Sequence, residues 1–151
     1  MTVGSEDRLL GIGAAAQQAG VSERALRYYQ QLGLLAPMCT AGGLRRYSDA
    51  DLARVAHIRE LQTLLGLNLD EIAAVLRDED RVAEIKAAYH DHRTGAGERR
   101  ELVRESLAIH ATLRAQVQAK RAALDDFLAD LDQRLARIAD TLADLDAASA
   151  D

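Results

Sequence analysis

Arg24 and Arg27 stand three residues apart in the stretch SERALRYYQQLG (22–33), a spacing that puts both guanidinium groups on one face of a helix. A guanidinium fork suits bidentate contact with a guanine edge or a phosphate. Ser22, heading the same stretch, adds a hydroxyl beside a helix N-terminus, which also suits phosphate. Tyr28 and Tyr29 follow at once. Neighbours on a helix diverge by about 100°, so one packs inward and the other offers its hydroxyl outward. A second pair, Arg45 and Arg46, lies in GGLRRYS (42–48), where strand alternation leaves at most one pointing squarely at a ligand. Between 21 and 47 four arginines meet a single acid, Glu23. The net charge is −5, yet residues 1–77 hold eight arginines against eight acidic residues, so the whole excess lies beyond them. A basic patch on an otherwise acidic molecule is the electrostatic footprint of a nucleic-acid site.

Other chemistry is sparse. Cys39 is the single cysteine, which excludes an internal disulfide framework and a zinc site built on several thiolates. It reads as an ordinary loop residue, with a redox-reactive thiol as the alternative. His90 and His92 are two apart and diverge on a helix, where a metal pair prefers i,i+4, so no metal site is expected; His110, near an apolar helix face, reads as structural. No paired carboxylates, Ser/His/Asp or Cys/His arrangement, or Gly-rich phosphate loop after a strand can be found, so neither catalysis nor a cofactor is expected. No segment approaches the ~20 apolar residues of a membrane span. The first ten residues carry Glu6 and Asp7 and lack the apolar core of a secretory signal. The expectation is a cytoplasmic protein with no membrane partner.

The elements that must position the arginines follow from composition and pattern. Of 151 residues, 48 % are hydrophobic and 28 % charged, five are aromatic, and Gly and Pro together number eleven. That balance suits long helices rather than many short strands. An apolar-periodic stretch from Ile12 to Ala19 ends at Gly20, and Ser22 caps a second helix that Gly33 closes. Two short helices about a tight turn have the dimensions of a helix-turn-helix. Gly42-Gly43 supplies positive φ for a hairpin whose return strand is Leu44 to Tyr47, a small wing. Ser48 with Asp51 and Asn68 with Glu71 start two further helices, the first carrying Leu52, Val55, Ile58 and Leu61 at helical spacing. A helical run then reaches about His92 and breaks at Thr94 to Gly97.

From Glu98 onward there is neither Gly nor Pro, and Leu124, Leu128, Leu131, Leu135, Ile138, Leu142 and Leu145 step by alternating fours and threes, a strict heptad seam. Leu102, Ile109, Leu113 and Val117 extend an apolar face upstream. So narrow a seam needs a partner helix, from a second copy or by folding back. The chain therefore divides into a DNA-binding part (9–78), a connecting helix and loop (79–97), a coiled-coil dimerisation helix or helix pair (98–146) and a tail (147–151). In the connector, Ile85 and Tyr89 are i,i+4 partners that could line a small apolar site or simply pack.

Residues 12–77 resemble the N-terminal DNA-binding domain of MerR-type transcriptional regulators. The resemblance rests on Ile12-Gly13, Gly20-Val21-Ser22, Arg24 through Tyr29, Gly33-Leu34-Leu35, Gly43 through Ser48, and Leu67 through Ile72, in this order and spacing. It implies a mainly α fold: a winged helix-turn-helix, two more helices, then a long helix pairing antiparallel with its dimer mate. It implies a homodimer on a near-palindromic promoter that bends and untwists the spacer between the −35 and −10 elements for RNA polymerase, at the nucleoid. A steric repressor of the same family and an architectural DNA-binding protein are the alternatives. Carried over residue by residue, the DNA contacts are Ser22, Arg24, Arg27, Tyr28, Tyr29, Arg45, Tyr47 and, as a backbone-contacting cation, Arg59. One departure is Leu44, where the family prefers Tyr in the wing. Beyond about residue 78 the resemblance is in kind only, and the effector stays open.

Overall fold

In the computed structural model, residues 8–149 are described; the Glu6 and Asp7 stretch and the last two residues of the tail lie outside them. Helix α1 (Ile12–Ala19) ends on Gly20, whose left-handed φ of 66° lets its N–H reach back to the Ala16 and Gln17 carbonyls. Ser22 caps α2 (Glu23–Gln31): its side chain accepts a hydrogen bond from the Ala25 N–H at 3.1 Å. The hairpin that follows pairs β1 (Met38–Cys39) antiparallel with β2 (Arg45–Arg46), Met38 opposite Arg46 and Cys39 opposite Arg45. Only Gly43 of the glycine pair takes a positive φ, 76°, which corrects the expectation for Gly42. The Thr40 N–H to Leu44 carbonyl bond closes a loop that needs just one left-handed residue. Leu10 adds a bridge beyond β2, exchanging both backbone hydrogen bonds with Tyr47 at 2.9 Å. The wing is thereby pinned to the residue that leads into α1.

Both expected capping boxes form, Ser48 with Asp51 at the head of α3 (Asp49–Leu65) and Asn68 with Glu71 at the head of α4 (Leu69–His90). Helix α4 runs through the charged patch at Asp78 to Arg81 without a break. It stops at Asp91, where the Thr94 hydroxyl donates to the Ala88 carbonyl at 2.7 Å. Helix α5 (Ala96–Ala148) is then one helix of 53 residues. With the wing helices this is the mainly α architecture expected.

The chain divides into two units between Leu102 and Val103. In the first, α1 packs on α2 and α3, and α3 on α4. Its core includes Leu26 and Tyr29 of α2, Tyr47 behind the wing, Val55 and Ile58 of α3, and Ile72 of α4. Each such aliphatic side chain contributes about 1.5–3 kcal/mol by leaving water. Charge also ties α3 to neighbouring segments. The Arg54 guanidinium donates to both Asp80 carboxylate oxygens at 2.7 and 2.9 Å, and its Nε to the Leu34 carbonyl at 2.7 Å. One turn on, His57 Nε2 lies 2.9 Å from Glu79 Oε1, and Nδ1 lies 3.4 Å from Glu60. The Glu79 contact raises the His57 pKa, and the Arg54 bond lowers that of Asp80. The second unit is the remainder of α5, where no described residue is buried.

Candidate nucleic-acid interface

Because Leu26 and Tyr29 anchor α2 in the core, its opposite face must point outward, and that face carries Arg24, Arg27 and Tyr28. Tyr28 is 48 % exposed. Arg27 pairs with Glu23 one turn back at 3.3 Å, both side chains about half exposed to water, so the bond is weak and readily exchanged. Ser22 is exposed at the head of the helix.

Arg27 joins the helix to the wing. It lines one open hollow with Ser22, Arg24, Tyr28 and Gln31, a second with Gly43, Leu44, Arg45 and Arg46, and a third with Gln30, Gln31 and Arg45. Arg45, read from the sequence apart from the Arg24 and Arg27 pair, thus borders one continuous basic surface with them, Tyr28 and Ser22. Arg46, on the other side of β2, is only half exposed yet also borders it.

Three expected contacts are engaged elsewhere. Tyr29 is 6 % exposed and belongs to the core, the inward member of the tyrosine pair. Tyr47 is wholly buried, because its backbone bridge to Leu10 turns the ring beneath the wing. Its hydroxyl accepts a hydrogen bond from Gln30 Nε2 of α2. Burial pushes the Tyr47 pKa up, while the Gln30 bond and the nearby charges of Arg45 and Arg27 pull it down. Arg59 is exposed on α3, but its Nη1 donates to the Gly20 carbonyl at 3.0 Å and to the Ala19 carbonyl at 3.5 Å. It therefore closes the C-terminus of α1, with a charge suited to that end of the helix dipole.

Gln30 is the site residue that the sequence reading passed over. The available signal was its i+3 spacing from Arg27, which puts it on the flank of the same face. Arg54 and His57 were missed as well, since their partners lie more than twenty residues away.

The connector pair splits: Ile85 is buried, whereas Tyr89 is 42 % exposed. Tyr89 meets the His90 ring edge-on at a centroid distance of 5.3 Å and carries the Arg99 guanidinium 5.8 Å above its own centroid. Along α5, Leu102, Ile109, Leu113 and Leu131 are half-buried, while Val117, Leu124, Leu128 and Leu135 are exposed. Phe127, Ile138, Leu142 and Leu145 are exposed too.

Sequence comparison with known proteins points the same way. Residues 10–79 match the family model of the MerR HTH family regulatory protein. A mercuric resistance operon regulatory protein of Pseudomonas fluorescens is 47 % identical over 72 residues, which make up 47 % of this chain and 49 % of that protein. The HTH-type transcriptional activator TipA of Streptomyces coelicolor is 47 % identical over 68 residues, 44 % of this chain and 26 % of TipA. The chain spans about half the length of the mercuric resistance relatives it matches. Among solved structures, HiNmlR, a MerR family regulator lacking the sensor domain and bound to promoter DNA, is similar at a TM-score of 0.46 and 22 % identity, covering 80 % of this chain and 79 % of that one.

Proposed function

We propose that this chain, whose residues 10–79 match the MerR HTH family model, is a MerR-type transcription regulator binding promoter DNA as a homodimer. The observation that carries the reading is the surface shared by α2 and the wing, on which Arg27 sits between Arg24 and Arg45. Arg24, Arg27 and Tyr28 address the duplex from α2, with Ser22 and the helix N-terminus at a phosphate, and Arg45 reaches the adjoining backbone from the wing. Tyr29, Tyr47 and Arg59 support this surface from behind: two hold the core and one holds α1.

The exposed seam of α5 supports the dimer. Leu124, Leu128, Leu135, Ile138, Leu142 and Leu145 are each more than half exposed at heptad spacing, an apolar stripe that a second helix would cover. Charge favours antiparallel pairing. Residues 96–121 of α5 carry six basic and three acidic side chains, and residues 122–148 carry two basic and seven acidic. Antiparallel copies set basic half against acidic half, whereas parallel copies set like against like. Leu102, Ile109, Leu113 and Val117 continue this face, with Leu131 inside it.

A dimer of two such domains fits a near-palindromic operator between the −35 and −10 elements, where bending and untwisting the spacer would serve RNA polymerase. The test is a footprint of the purified chain on its own upstream region, with permanganate probing in the presence of RNA polymerase. Protection between the two elements with new open-complex signal is expected. Protection without opening would favour steric repression, and binding that spreads without a boundary would favour an architectural role. Absence of protection on any promoter offered would refute the reading.

A further inference from the structure

Tyr47 is conspicuous as a tyrosine whose ring is wholly buried but whose hydroxyl is used. A phenylalanine would fill the same space beneath the wing. The hydroxyl instead takes a hydrogen bond from Gln30, which lies on α2 three residues after Arg27, while Tyr47 itself lies two residues after Arg45. Gln30 also lines the hollow that Arg27 and Arg45 share. The bond therefore spans the joint between the two elements at the level of their arginines. The Leu10 bridge and the β1–β2 pairing hold the wing as a unit, but both lie within the wing and its root. Resting on the DNA-binding reading above, we infer that Gln30 and Tyr47 are positioning residues: their hydrogen bond sets the wing against α2 so that Arg27 and Arg45 meet the duplex together.

The charges around the hydroxyl agree with this placement, since both Arg45 and Arg27 act on it. Gln30 Oε1 is enclosed and has no hydrogen-bond partner among the described residues. The amide thus stands where a methionine of similar length would bury no polar atom of its own but would leave the Tyr47 hydroxyl without this donor. A side chain serving packing alone gains nothing from that arrangement; one holding a joint does.

The test is a double-mutant cycle in the full chain, with sheared mixed-sequence duplex DNA as the probe, so that phosphate contacts are read without an operator. Tyr47→Phe should weaken binding roughly threefold to tenfold, the scale of one hydrogen bond, and lower the slope of log K against log salt by up to about one for each domain engaged as Arg45 leaves its phosphate. In an Arg45→Ala background the same change should have little further effect. Gln30→Met attacks the bond from the other side and should reproduce both results, which covers the case in which Tyr47→Phe folds poorly. Helical content is checked by circular dichroism. If Tyr47→Phe and Gln30→Met weaken binding by the same factor with and without Arg45, or leave affinity and slope unchanged, the inference is overturned while the DNA-binding reading stands. If the parent chain does not bind duplex DNA, both fall.

Discussion

Arg27 and Arg59 look interchangeable as exposed basic residues on helices, but their partners separate them. Among the described residues Arg27 pairs with Glu23, its own neighbour on the helix surface, in a water-exposed pair that a phosphate can displace. Arg59 is committed to the backbone carbonyls at the end of α1. Arg27→Ala should therefore lower DNA affinity and reduce the salt slope by about one for each domain engaged, with little change in Tm. Arg59→Ala should cost roughly 0.5–1.5 kcal/mol of stability for the lost carbonyl contact, lowering Tm, and leave the salt slope near that of the parent. Thermal melts and salt titrations of the two variants check the pair. The opposite pattern would exchange their roles. The tyrosines teach a related lesson. That one of Tyr28 and Tyr29 must turn inward was readable from helical geometry, but which one depends on the packing of α2, which local spacing does not encode. Tyr47 reads as an exposed wing residue until its bridge to Leu10, far away in sequence, turns the ring inward.

Elements were easier to read than residues because their signals are local. Ser22, Ser48 and Asn68 satisfy backbone N–H groups within three residues, and Gly20 and Gly66 end their helices in the left-handed region that glycine enters freely. What joins the elements was hidden, since Arg54 reaches Asp80 and His57 reaches Glu79 across more than twenty residues. That joint carries a pH dependence. The pKa of His57 is raised, chiefly by Glu79 and with help from Glu60 against the cost of burial. Its stabilisation is then full below the unfolded value of about 6.5 and is lost as pH rises through the higher folded value. Asp80, lowered by Arg54, acts in the opposite sense, giving stability above its unfolded value that is lost as pH falls through the folded one. Since the imidazole is 36 % exposed, its share is discounted for screening to under about 1 kcal/mol. His57→Leu should thus lie below the parent in Tm at about pH 5.5 and draw level above about pH 8. A gap that does not change with pH would remove the ion pair from the joint between α3 and α4.

At the scale of the whole chain, α5 decides the assembly. The seam was plain in the sequence because a heptad repeat needs no tertiary information, whereas one helix or a folded-back pair could not be chosen until its 53 residues proved continuous. Replacing Leu128 and Leu135 by Glu places charge on a stripe that pairing would bury. The double variant should sediment as a monomer at concentrations where the parent is a dimer, keep the fold of residues 10–79, and bind DNA with about half the parent's salt slope as one of two domains is lost. Unchanged sedimentation would put the dimer seam elsewhere.

If Arg24, Arg27 and Arg45 form one DNA-binding surface, the salt dependence of duplex binding by the full chain must differ from that of its Arg24→Ala/Arg27→Ala/Arg45→Ala variant. The parent should lose affinity linearly in log salt, and the variant's slope should be shallower by about three for each domain engaged. Equal slopes, or a parent chain that does not bind duplex DNA at low salt, would contradict it.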